Sequence, residues 1–251
     1  MRRLLGGVDV PSPGKPARVS VVSGNGTRSS VSVLGKGLAV ALAFAALGAI
    51  AAGRDTRPAG PSLYAYGTSY LAQDISNSSG RRYIDQFHDA LGWPFHNLAK
   101  SGATVQDIAA TIDRTWKPRR AMVVIDAVTN NLYQTRTNPA KGIADAEPVF
   151  RSMLQRLGPM PSIIVVKQGH LSSPDYALFD NVLSDATVDA WNAMIDRSVA
   201  GIPNVRVVDP NVGWDPNTMI HNVHPTDAGE DHIAQQLCAV NGLAWQPPSD
   251  A

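Results

Sequence analysis

Three runs of β-branched and apolar residues constrain the fold most: Met122-Val123-Val124-Ile125, Ile163-Ile164-Val165-Val166 and Val205-Arg206-Val207-Val208. Each is short for a helix, and the first two carry no polar position, as strands buried on both faces require. Around them lie stretches with apolar residues at three- and four-residue spacing, which is the helical period. These are residues 83–91, 105–116, 144–157, 188–199 and 227–241, the last preceded by Pro225 as a helix-start signal. Strands alternating with helices predict a parallel sheet with crossover helices. With an earlier strand from Leu63 to Tyr66, the expectation is a three-layer α/β sandwich around five parallel strands in the flavodoxin-like order 2-1-3-4-5.

The 251 residues, 44% apolar and 17% charged, suffice for one α/β domain and an extension. The domain is expected at 61–245. Residues 1–54 hold seven Lys/Arg against Asp9 alone, a charge of +6, while the remainder holds 15 Lys/Arg against 20 acids, a charge of −5. A mildly acidic body is not a nucleic-acid binder, so no nucleic-acid partner is expected.

Residues 1–60 form a basic arm, an apolar run and a linker, with a strand expected from Ala17 to Val22. Lys36 and Arg54 bracket 17 uncharged residues. As a helix these would reach about 25 Å, marginal against a hydrocarbon core of about 30 Å. The run suits a signal or short anchor with the basic side inside, which places the protein outside the cell or at the cell envelope. The alternative is a segment packed in a protein assembly such as a phage virion. The single cysteine, Cys238, excludes an internal disulfide and sits in a pattern that reads as a buried helix face.

The chemistry begins at Tyr64-Ala65-Tyr66-Gly67-Thr68-Ser69-Tyr70, where a strand ends in a glycine and delivers Ser69 at a turn. The carboxyl end of a parallel strand is where open α/β sheets present groups to ligands. A serine hydroxyl needs a base to become a nucleophile, and histidine serves best near neutral pH. His224, before Pro225 in the loop after the last strand, is the best candidate.

Four blocks, Gly67-Thr68-Ser69, Ser101-Gly102, Val128-Thr129-Asn130-Asn131 and His221-Asn222-Val223-His224-Pro225, come in an order that resembles the SGNH or GDSL-type serine hydrolases over roughly residues 61 to 240. The resemblance implies Ser69 as nucleophile, His224 as base, and the Ser69 N–H, Gly102 and Asn130 as oxyanion donors. Each such donor is worth on the order of 3 kcal/mol of barrier. It implies an esterase acting on acylated glycans or lipid esters, with no cofactor and no metal.

Every acidic position of the family pattern is replaced. Thr68 stands for the first-block Asp, Val128 and Asn131 for the third-block Gly and Asp, and His221 for the Asp three residues before the histidine. That last carboxylate normally orients the imidazole. His221, Asp215 or a backbone carbonyl could serve instead, the last leaving a Ser-His dyad. The losses also admit a catalytically silent glycan-binding or structural module. His221, His224, Asp227 and His232 suggest a metal site, but no HExxH helix or carboxylate cluster accompanies them. His170, after the fourth strand, is a candidate to line the cleft.

Overall fold

The computed structural model describes residues 18–22, 28–32, 61–72, 79–135, 137–178 and 183–246. The apolar run at 37–53 lies outside them, and among the described residues no helix is long and apolar enough to cross a membrane. The chain divides into two units, Met1–Pro58 and Ala59–Ala251. In the first, β1 (Arg18–Val22) pairs antiparallel with β2 (Arg28–Ser32).

The second unit is the expected α/β sandwich. Strands β3 (Ser62–Tyr66), β4 (Phe95–Asn97), β5 (Ala121–Asp126), β6 (Ser162–Val166) and β7 (Val205–Val208) form one parallel sheet in the order β4-β3-β5-β6-β7. This is the order 2-1-3-4-5. Every residue of β5 is buried, in keeping with a central strand covered on both faces. The edge strand β4 has three half-buried or exposed residues, so no apolar run marks it in the sequence.

Helices α2 (Val105–Thr115), α4 (Pro139–Leu157) and α6 (Asp185–Val199) pack against one another as one layer, and α1 (Tyr83–Leu91) pairs with α8 (Asp227–Val240) as the other. Helix α4 starts five residues earlier than its apolar spacing suggests. Pro139 sits at its first turn, and the Asn138 side chain accepts from Lys141 N at 3.1 Å. A cap and a proline set that start, and neither registers in hydrophobic period. Short helices α3 (Asn130–Gln134), α5 (Ser173–Ala177) and α7 (Pro216–Met219) lie in the loops beyond the carboxyl ends of the strands. Cys238 is fully buried on α8, as its pattern predicts.

Candidate active site

Ser69 follows β3 at the first position of a helical turn, closed by Leu71 and Ala72 N–H groups donating to Thr68 O at 3.2 and 2.9 Å. The turn is fixed from below. The Thr68 N–H donates to Asp126 Oδ1 at 2.7 Å, and Lys100 N–H donates to Gly67 O at 3.0 Å. Gly67 is obligatory here on steric grounds, since a Cβ at that position would stand 2.3 Å from Asp126 Oδ1.

Gly102 follows β4 in a turn closed by Ala103 N donating to Lys100 O at 3.1 Å, and its φ of 72° favours glycine. Asn130 opens α3 after β5, with its amide donating to Ala103 O at 2.9 Å. That leaves its second amide hydrogen for the cleft. Asn131 ties the same two loops together. Its Oδ1 accepts from Val105 N at 2.9 Å, and its Nδ2 donates to Gln106 Oε1 at 2.7 Å. An amide satisfies both partners at once, which gives a physical reason for asparagine at a position the resemblance assigns to aspartate.

His224 lies on a two-strand hairpin, β8 (Ile220–His221) paired with β9 (His224–Pro225). Asn222 and Val223 form its two-residue loop with φ of 47° and 62°, the signature of a type I′ turn. A β-branched residue at positive φ is strained. The turn places Asn222 O 2.9 Å from His224 Nδ1. A carbonyl can only accept, so Nδ1 carries the hydrogen and Nε2 is left as the basic nitrogen. Of the three candidate orienting groups, the backbone carbonyl is therefore the one in contact. His221 is exposed and pairs with His224 only through backbone register. Asp215 caps α7, accepting from Asn217 N at 3.0 Å and Thr218 Oγ1 at 3.0 Å.

Ser69, Gly102, Asn130 and His224 line one cleft of about 330 Å³, with apolar walls from Val128, Leu171, Leu183 and Val223. The backbone N–H groups of Ser69 and Gly102 have no hydrogen-bond partner among the described residues. The residues that carry these two N–H groups and the Asn130 amide thus line the same cleft. No hydrogen bond links Ser69 Oγ to His224; the Tyr70 ring lies 5.9 Å from the imidazole.

Sequence reading missed the polar layer beneath this cleft. Asp126, at the end of β5, is fully buried and also accepts from Tyr83 O–H at 3.2 Å. Burial pushes its carboxyl up to about 6, opposed by the donors from Thr68 and Tyr83. Glu230, also fully buried, accepts from Tyr83 N at 2.6 Å, and burial holds its carboxyl well above the ordinary range. An acid that the nucleophile block lacks is thus supplied from the neighbouring strand. The available signal was Asp126 itself, a charge closing an otherwise apolar strand. Gln168, after β6, donates to Tyr70 O–H at 2.8 Å and completes the floor.

His170 does not reach the Ser69 side of the cleft; it lines an adjoining depression and bonds Asp189 through Nε2 at 2.8 Å. His232 Nε2 lies 2.9 Å from Pro210 O. Among the described residues, no group of three or more His, Cys, Asp or Glu could hold a metal ion.

A sequence profile of the GDSL-like lipase/acylhydrolase family matches residues 62–232. Among solved structures, a member of the lipolytic protein G-D-S-L family from Veillonella parvula is similar at 17% identity, with 72% of this chain and 98% of that chain covered and a TM-score of 0.52. Phospholipase A1 from Streptomyces albidoflavus is similar at 15% identity, with 73% and 99% covered and a TM-score of 0.53. At such identities the likeness establishes a shared fold. No curated protein sequence matches the chain at a significant level.

Proposed function

Because the chain belongs to the GDSL-like lipase/acylhydrolase family, we propose that it is a serine ester hydrolase working through a Ser69–His224 dyad. Ser69 Oγ attacks the acyl carbonyl carbon while His224 Nε2 takes the hydroxyl proton. The carbonyl oxygen becomes an oxyanion held by the N–H groups of Ser69 and Gly102 and by the Asn130 amide. Collapse of the tetrahedral intermediate breaks the ester C–O bond, and His224 returns its proton to the departing alcohol. Water then attacks the acyl-serine by the same route in reverse, releasing the acid and restoring Ser69.

The observation that carries this reading is the His224 Nδ1 contact with Asn222 O at 2.9 Å, in the cleft that Ser69, Gly102 and Asn130 also line. The carbonyl selects the tautomer that an aspartate would select in a triad. It gives less stabilisation to the imidazolium, so a slower enzyme is expected. The basic and apolar character of residues 1–54 supports a setting at the cell envelope, where acylated glycans and lipid esters are available.

The test is hydrolysis of p-nitrophenyl acetate by the full chain, compared with Ser69→Ala and His224→Ala. Each variant should lose activity by at least about a thousandfold, and a fluorophosphonate should label the wild type at Ser69 only. Turnover unchanged in Ser69→Ala would refute the mechanism. No turnover and no labelling would favour a ligand-binding module in its place.

A further inference from the structure

A second depression of about 620 Å³ adjoins the Ser69 cleft and shares Leu171 and Leu183 with it as a common wall. Its chemistry differs. The Ser69 side is walled mainly by apolar residues, whereas the second is lined by His170, Ser172, Tyr176, Ser184, Asp185 and Asn217. Hydroxyls, an amide and a carboxylate face it, and no lysine or arginine among the described residues lines it.

These groups are held in place. His170 is fixed by Asp189 at 2.8 Å, its N–H donates to Asn211 Oδ1 at 2.8 Å, and its carbonyl accepts from Trp214 Nε1 at 2.8 Å. The Tyr176 hydroxyl donates to Asp185. Gly169 permits the Trp214 packing, since a Cβ there would stand 2.8 Å from the indole ring.

An ester placed with its carbonyl carbon at Ser69 has two arms. We propose that the apolar cleft takes the acyl arm and that this second, polar depression is the subsite for the leaving alcohol, which is a neutral polyhydroxylated group such as a sugar. The assignment rests on the hydrolase reading above and narrows it. Sugar hydroxyls both donate and accept, matching a lining that mixes Asp185 as acceptor with Asn217 and serine hydroxyls. A phosphate headgroup would meet Asp185 with no lysine or arginine on the wall, and like charges at close range are repelled. Glycan esters are thus favoured over anionic phospholipids.

The experiment uses the full chain and three acyl esters: 6-O-acetylcellobiose, p-nitrophenyl acetate and a short-chain phosphatidylglycerol. Ala186→Trp fills the depression from the exposed start of α6, and Asn217→Ala removes one polar group from its wall. Both variants should lower kcat/KM for the acetylated disaccharide by about tenfold and leave p-nitrophenyl acetate within about twofold. A similar drop on both acetates, or none on the disaccharide, overturns the subsite. So does phosphatidylglycerol cleaved as fast as the sugar ester. Inactivity of the wild type on all three, without Ser69 labelling, refutes the hydrolase reading instead. The depression is then judged by titration with cellobiose, whose binding must vanish in Ala186→Trp.

Discussion

Asp126→Asn isolates the buried acid beneath the nucleophile turn. The native carboxylate is fully buried and accepts hydrogen bonds from Thr68 N at 2.7 Å and Tyr83 O–H at 3.2 Å. Asparagine has almost the same shape, keeps an oxygen for the Thr68 N–H, and cannot ionise. Burial raises the native carboxyl from 3.8 to about 6. With 1.36 kcal/mol for each pH unit of that displacement, ionising Asp126 costs the folded state about 3 kcal/mol more than it costs the unfolded chain.

The sign follows from proton binding. Between about pH 4 and pH 6 the folded protein holds a proton that the unfolded chain has released, so stability from this group falls as pH rises through that window. It is flat below and above. The asparagine variant lacks this slope. Its stability relative to wild type should therefore improve by about 2 kcal/mol between pH 4 and pH 7, since part of the full difference is already present at pH 4. Glu230, whose carboxyl is also raised by burial, contributes a slope of the same sign to both proteins, and taking the difference removes most of it. Urea unfolding followed by tryptophan fluorescence at pH 4, 5, 6 and 7 gives the comparison by linear extrapolation. Parallel pH profiles for the two proteins would refute the claim that ionised Asp126 is destabilised by burial. The variant should stay within about tenfold of wild type in activity, because the Thr68 acceptor survives.

Three further substitutions test neighbouring parts of the site. Gly67→Ala should cost about 1–3 kcal/mol by overpacking, since the new Cβ would meet Asp126 Oδ1 at 2.3 Å; a denaturation midpoint equal to wild type would disprove that close fit. The same variant should lose more activity than its stability loss explains, because the clash displaces the Ser69 turn. Val223→Gly creates the Asn-Gly pair that a type I′ turn prefers and should raise stability by about 1 kcal/mol despite the added chain entropy; a lower melting temperature would show that Val223 is not strained. His221→Ala should leave kcat within about twofold, since the carbonyl of Asn222 and not His221 contacts the imidazole, and a hundredfold loss would restore His221 as the orienting residue.

Much of this architecture is written locally. The runs at 122–125, 163–166 and 205–208 announce strands because burial on two faces demands unbroken apolar β-branched sequence. Helical period marks α1, α2 and α8 to within about a residue, while α6 starts three residues before its expected bound of 188. The edge strand β4 escaped because three half-exposed residues carry no periodic signal. Ser69, Gly102 and Asn130 were legible as candidates because each follows a strand end, and strand ends on a parallel sheet share one edge, while His224 was legible from the loop after the last strand of that sheet.

What the chain alone determined, then, is the class of fold, the order of its strands and the residue types available at one edge of the sheet. These follow from hydrophobic period and connection handedness, which act over a few residues or one crossover. The tertiary structure decided how those residues are held. Asp126 reaches Thr68 across 58 positions, and Glu230 reaches Tyr83 across 147. The carbonyl that orients His224 depends on two positive φ angles in a turn without glycine. Such contacts arise from the packing of distant elements and from a strained local conformation that the rest of the fold holds in place, and neither leaves a periodic trace in the sequence.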